Sequence, residues 1–193
     1  MPKPVQKRAI ETRTRLITSA QELIAANGYE ALRIEEIVLR AGVAKGTFFA
    51  HFKDKDALMD LLIGGKINAQ LDELASRPAP QTITDLISAL RPLCSFMTKE
   101  RYVFDVIMRY SGATAVEEIG PIAKTFERQV MVLANWLAKA PFRKDISPFL
   151  MAEGVQAFML QAMALKFCAV HATETFEERL HQYLTAWLTP ASD

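Results

Sequence analysis

Ile34-Glu35-Glu36-Ile37-Val38-Leu39-Arg40-Ala41-Gly42-Val43-Ala44-Lys45-Gly46-Thr47-Phe48-Phe49-Ala50-His51-Phe52 is the stretch that decides the fold. Ile34, Ile37, Val38 and Ala41 fall at i, i+3, i+4 and i+7, the stripe of a helix with one buried face. Gly42 stands where a helix can end in a left-handed residue, and Val43 completes a tight turn. Ala44 to Phe52 then reads as a second short helix. Helix, turn and helix make a helix-turn-helix unit, whose second helix enters the DNA major groove while the first braces it. Gly46 and Ala50 would let that helix backbone come close to the groove. Lys45, Thr47 and His51 supply donors on roughly the same side, and Phe48 and Phe52 are expected to pack inward.

Outward from this unit the chain reads as helix throughout. Leu16, Ala20, Leu23 and Asn27 carry the same stripe through the preceding segment, and Asn27-Gly28 stops it. Asp54 can cap a long helix that begins near Lys55 and ends at Pro78 and Pro80. Further helices are predicted at about 82–98, 100–111, 115–140, 148–171 and 174–189, with Pro92 and Pro121 as kinks or breaks and a loop from Pro141 to Pro148. The expected architecture is all-α. A three-helix head over residues 1–54, with an arm at about 1–8, is joined by the long fourth helix to a larger helical bundle within 55–193.

Composition narrows the function classes. Half of the 193 residues are apolar and the formal net charge is +1, the profile of a globular chain rather than a disordered or collagen-like one. That charge is unevenly placed: residues 1–66 hold eleven Lys and Arg against eight Asp and Glu, net +3, leaving the remainder at net −2. A basic first segment on a mildly acidic body suggests an end that faces a polyanion. The basic N-terminus has no apolar run behind it, which argues against a secretory signal. The apolar stretch from Gly154 to Leu165 is too short to span a bilayer. Two cysteines, Cys94 and Cys168, are the usage of a reducing compartment, so a cytoplasmic protein with no membrane partner is expected.

The order Leu16-Ile17-x-x-Ala20-x-x-Leu23, Asn27-Gly28-Tyr29-Glu30-Ala31, Ile34-x-x-Ile37, Ala41-Gly42-Val43, Lys45-Gly46-Thr47-Phe48, His51-Phe52-Lys53-x-Lys55-x-Ala57-Leu58 runs uninterrupted through the head. It resembles the DNA-binding domain of the TetR family of transcriptional regulators. The resemblance implies that Lys45 and Thr47 face the groove, that His51 lies near a phosphate, and that Lys55 meets the DNA backbone from the start of the fourth helix. Free N–H groups at a helix N-terminus favour a phosphate there in any case. Two positions depart from the family. Phe49 stands where a phosphate-facing tyrosine is usual, and Ala44 where a serine or threonine caps the recognition helix. Arg33, near the start of the second helix, offers a charged phosphate contact instead.

Beyond the head, the resemblance implies a divergent helical region that dimerises and binds an inducer. Methionine and aromatic side chains are frequent there, which suits a cavity that adapts to apolar ligands. Candidate lining residues are Met97, Phe104, Met108, Phe126, Phe158 and Met159, with Arg109 as a selector for an anion if it turns inward rather than joining a surface ladder with Arg101 and Asp105. Gly154 and Ala162, with Phe176, Leu180, Tyr183, Leu184 and Trp187, would form a four-helix dimer surface from the last two helices of each copy. Paired Gly64-Gly65 is a candidate bend. No catalytic signature, metal-binding spacing or cofactor loop is present in the sequence, and Glu177 with His181 reads as a surface pair. The expectation is a ligand-released repressor, a homodimer on a palindromic duplex operator. The alternative is a helical ligand-binding or scaffold protein with a vestigial DNA-binding head.

Overall fold

The computed structural model describes residues 4–112, 119–167 and 174–190, and within them the chain is helical. Its elements are α1 (Pro4–Asn27), α2 (Ile34–Ala41), α3 (Lys45–His51), α4 (Lys55–Ser76), α5 (Ile83–Met97), α6 (Arg101–Tyr110), α7 (Pro121–Lys139), α8 (Pro148–Lys166) and α9 (Phe176–Leu188). α1, α2 and α3 wrap the small core of the head around Leu16, Ala20, Leu32, Ile37 and Phe48, all almost wholly buried. α4 leads from the head into a body where α7 packs on both α4 and α8, and α9 packs on α8 and α5.

Local chemistry fixes most of the boundaries. The Asp54 carboxylate accepts the Ala57 N–H at 2.8 Å and starts α4. Thr82 with Asp85, and Thr175 with Glu178, form reciprocal capping boxes at α5 and α9, while Ser147 caps α8. Three expectations need correction. The residues from Pro4 to Arg8 are not an arm but continue α1, since proline is suited to the first helical turn and nothing breaks the chain before Gly28. Pro92 neither ends nor splits α5; it and Ser88, four residues earlier, are exposed, so the carbonyl that loses its donor can reach water. Pro121 is the first residue of α7, so the start predicted at about 115 is not its start, and 113–118 lie outside the described residues.

The apolar α8 also exceeds the sequence expectation. Its 19 residues have the length and mean hydropathy of a membrane-crossing helix. Here it is a packing element, with Met151, Ala152, Val155, Met159, Ala162 and Met163 buried against its neighbours.

Gly64 and Gly65 do not act as a pair. α4 runs through both without interruption. A Cβ on Gly64 would stand 2.8 Å from Pro121 Cβ and 2.9 Å from its carbonyl carbon, whereas one on Gly65 would meet nothing within 4 Å. Gly64 is therefore the point where α7 starts against α4, and Gly65 is open surface. One turn earlier on α4, the buried Asp60 carboxylate accepts the Ile122 N–H at 2.8 Å, so α7 is capped by a side chain from another helix. Burial pushes this carboxyl above its ordinary range, and the Ile122 hydrogen bond pulls only partly back.

Two predictions follow from this packing. Gly64→Ala should destabilise the chain by about 1–3 kcal/mol through overpacking, while Gly65→Ala should stabilise it by up to about 1 kcal/mol through helix propensity, both read from urea unfolding. Equal effects would restore the bend. Asp60→Ala should cost about 1–3 kcal/mol because the Ile122 N–H loses its acceptor. Asp60→Asn keeps the acceptor without the charge. Because the folded pKa lies above the unfolded one, the ionised carboxylate weakens the native state at neutral pH, and that cost vanishes as pH falls through the folded value. The stability of the wild type relative to Asp60→Asn should therefore rise on acidification from neutral towards the ordinary carboxylate range.

Candidate nucleic-acid interface

The turn between α2 and α3 is built by Gly42, at φ +64° and ψ +42°, which lets its own N–H reach the Leu39 carbonyl and the Val43 N–H reach that of Val38 at 3.0 Å. The chain then enters α3 through Ala44, in extended conformation and without a side-chain cap. Phe48 is fully buried and Phe52 nearly so, their ring centroids 5.4 Å apart, which fixes α3 against the head core. The opposite side of α3 faces solvent. Lys45, Gly46, Phe49 and Ala50 are exposed, and Thr47 and His51 are half-buried on its edges. Phe49 is 48% exposed, its ring edge-on to Phe48. Gly46 meets nothing that a Cβ would touch. The result is a short helix whose exposed face has little bulk apart from one aromatic ring, with donors at its margins.

Electrostatics refine the picture. Lys45 Nζ lies 2.6 Å from Glu35 Oε1, and this hydrogen bond holds the Glu35 carboxyl below its usual range. The pair is exposed, so its worth is small and water or a phosphate can replace it. Arg33 folds back to donate to the carbonyls of Glu30 at 2.8 Å and Leu32 at 3.2 Å, just ahead of α2. Lys55 is the first residue of α4, and its amine lies 4.9 Å from the centroid of the Tyr102 ring. Desolvation there, and after it the nearby Arg33 charge, lowers the Lys55 pKa. Thus Arg33, Lys45 and Lys55 each rest on a partner within the chain. Glu35, which holds Lys45, escaped the sequence reading because nothing in the spacing of two residues ten apart signals a pair. The exposed Lys53, directly after Phe52, was also passed over among the candidate contacts, although its place at the end of α3 was the available signal.

The residues expected to line a pocket are scattered. Arg109 points outward, its Nη1 2.6 Å from Asp56 Oδ2, so it does not select an internal anion. Phe104 packs on Phe167, with ring centroids 5.3 Å apart, and Phe158 stacks on Tyr183 at 5.1 Å. Met97 and Met159 are buried, and the Met159 sulfur accepts from Gln129 Nε2. Met108 and Phe126 are partly buried against the core. Of the seven, Arg109 alone borders one of the clefts described here, beside Tyr110 and Pro121. Apolar abundance reflected close packing rather than a gathered wall.

Of the residues expected at a dimer surface, Ala162, Leu180 and Leu184 are buried within the single chain. Gly154 accommodates the Trp187 indole, whose Nε1 donates to the Met151 carbonyl at 3.0 Å, so this contact joins α8 to α9 of the same chain. Phe176, Tyr183 and Trp187 remain partly exposed. Glu177 pairs with Arg91 at 2.9 Å, and His181 Nδ1 lies 3.3 Å from Thr185 Oγ1. Burial pushes the Cys94 thiol up to about 12, which keeps it protonated and unreactive at neutral pH. Cys168 and His171 lie outside the described residues.

Residues 16–62, the span that holds this helix-turn-helix, match the family profile described as bacterial regulatory proteins, tetR family. Residues 16–62 are thus similar to the DNA-binding domain of the TetR family. An uncharacterised HTH-type transcriptional regulator of Bacillus subtilis, YerO, is 33% identical over 86 residues, 41% of this chain but only 30% of that protein. A second, YvdT, is 25% identical over 147 residues, covering 74% of this chain and 71% of its own length. The fold also resembles that of Thermus thermophilus FadR, a TetR-family repressor solved in complex with lauroyl-CoA, with TM-score 0.62, 19% identity, and 91% and 92% of the two chains covered. The TetR relation therefore rests most firmly on the head, and the bodies share a fold.

Ala44→Ser should add a side-chain acceptor at the start of α3 and stabilise the head by about 0.5–2 kcal/mol, read as a raised urea midpoint with an unchanged slope. A neutral result would mean that the free N–H groups of α3 are already well served by water.

Proposed function

We propose that the chain is a DNA-binding transcriptional regulator of the cell interior, a repressor that acts as a homodimer on a palindromic operator and is released by a small, largely apolar molecule. The observation that carries this reading is the solvent face of α3. Small residues at Gly46 and Ala50 leave room for the helix backbone to approach a groove, and Lys45, Thr47 and His51 offer donors to base edges and phosphates around it. Arg33 and Lys55 extend the positive edge along the flanking helices. One helix of this length reads a few base pairs, so two copies in fixed relation are needed for useful specificity. The partly exposed Phe176, Tyr183 and Trp187 of α9 are the surface we assign to that association.

Release by a ligand requires two arrangements of the body that differ in affinity for it. The FadR relative was solved with an acyl thioester, which supports a ligand with a substantial apolar part. α4 connects body and head, and α6 touches its first turn through Tyr102 and Arg109, so a shift of the body reaches the spacing of the two α3 helices along that route.

A second reading, a helical ligand-binding or scaffold protein with a vestigial head, is favoured by the uncapped Ala44 and by Lys45 already resting on Glu35. Selection of bound duplexes from a random-sequence pool at moderate salt separates the two. The regulator should recover a palindrome with regularly spaced half-sites and lose affinity steeply as salt rises. On that duplex Phe49→Tyr should tighten binding by roughly fivefold, the worth of about one neutral hydrogen bond. A folded protein that enriches no motif would establish the scaffold reading.

A further inference from the structure

The largest of the clefts described lies where head meets body, beside α4 and on the side of α1 and α5. α1, the turn after it, α4 and the end of α5 enclose about 670 Å³ there. Its walls are apolar: Ile17 and Ile24 from α1, Leu61 and Leu62 from α4, and Phe96 from α5, with Tyr29 at one end. Ile17, Ile24, Leu61 and Phe96 are only partly buried, so among the described residues part of their hydrocarbon is left uncovered. Around this hydrocarbon stand Arg13, Lys66 and Lys99, and no Asp or Glu is among the lining residues. Arg13 lies over the Phe52 ring at 4.8 Å, and Lys66 and Lys99 are exposed. Apolar walls attract an apolar body, and three cations without a lining carboxylate favour an anionic head group. The volume falls within the range of small-molecule sites.

We infer that this junction cleft is a binding site for small amphipathic organic anions, an aryl or alkyl carboxylate or sulfonate whose apolar part lies between α1 and α4 and whose charge meets Lys66 and Lys99. Such a ligand touches head and body together. It resists their relative displacement directly, without a rearrangement of the α7–α8 packing. Gly65 provides a clean way to close the site: it lines the cleft, and a side chain there starts in open space.

The test uses the full chain and two fluorescent probes with one aromatic skeleton, 1-anilinonaphthalene-8-sulfonate and the uncharged N-phenyl-1-naphthylamine. The sulfonate should bind the wild type at one site per chain. Gly65→Phe, which fills the cleft, should weaken it by tenfold or more, and Ala69→Phe is a second blocking variant should the first fold poorly, as judged by circular dichroism. The double variant Lys66→Gln, Lys99→Gln should weaken the sulfonate by about tenfold, in line with two lost solvent-exposed ion contacts, and should leave the uncharged probe within about twofold. Either of two results would overturn the inference. One is sulfonate binding that is absent from the wild type or unchanged in folded blocking variants, which would put the probe elsewhere or nowhere. The other is a charge variant that affects both probes equally, which would remove the anion preference.

Discussion

The Glu100 carboxylate ties the head to the body. Glu100, the residue before α6, accepts the Tyr29 N–H at 3.2 Å and 3.0 Å through its two oxygens and the Glu30 N–H at 3.1 Å. The turn can present those N–H groups together because Gly28 takes a left-handed conformation, φ +85°, and a Cβ there would stand 3.1 Å from the Glu100 carboxylate. Successive N–H groups around a left-handed residue form a concavity that favours an anion. A charge-assisted contact of this kind is worth about 1.5–3 kcal/mol when partly shielded from water, more than an ordinary surface pair. Burial and the Glu100 charge both push the Tyr29 phenol up, so that hydroxyl stays protonated beside the clasp.

From that clasp the orientation of α3 follows. α6 begins directly after Glu100 and runs on past the first turn of α4, where Tyr102 sits under Lys55 and Arg109 reaches Asp56. The head is thus held by α6 at two places, its α1–α2 turn and the start of α4. Farther along, α7 grips α4 through Asp60 and the close approach at Gly64. α4 is a lever constrained on both sides of its first half.

The sequence made the head legible because its information is local. Four apolar positions at helical spacing, a glycine that must turn left-handed and two inward phenylalanines specify α2, α3 and their angle without reference to the rest of the chain. The capping residue Asp54 worked the same way. The clasp was not legible, since Glu100 lies about seventy residues from its partners and accepts from backbone, which leaves no mark in side-chain pattern. The body misled for a related reason. A stripe such as Leu180 and Leu184 reports that a helix face is covered, not whether its own chain or another covers it, and methionines report apolarity without reporting enclosure. Gly64 and Gly65 look identical in sequence, and only the position of Pro121 separates a packing contact from open surface.

Under the proposed function, the free head holds the side chains of α3 in a form that DNA would claim at low cost. Lys45 and Glu35 are both more than half exposed, so breaking their pair costs at most about 1 kcal/mol. Glu35 would remain near a duplex as an unpaired anion, which disfavours binding unless that carboxylate finds a donor such as an exposed cytosine amino group. Release of Lys45 therefore comes with a condition on the base opposite Glu35. Phe49 imposes another condition. It is the one large apolar side chain on the exposed face of α3, and a thymine methyl or a sugar suits it better than a phosphate does. In the proposed DNA complex, the departures at this face would act less as losses of affinity than as constraints on which duplex fits, because each would replace a contact available at every step of DNA with one available only at some.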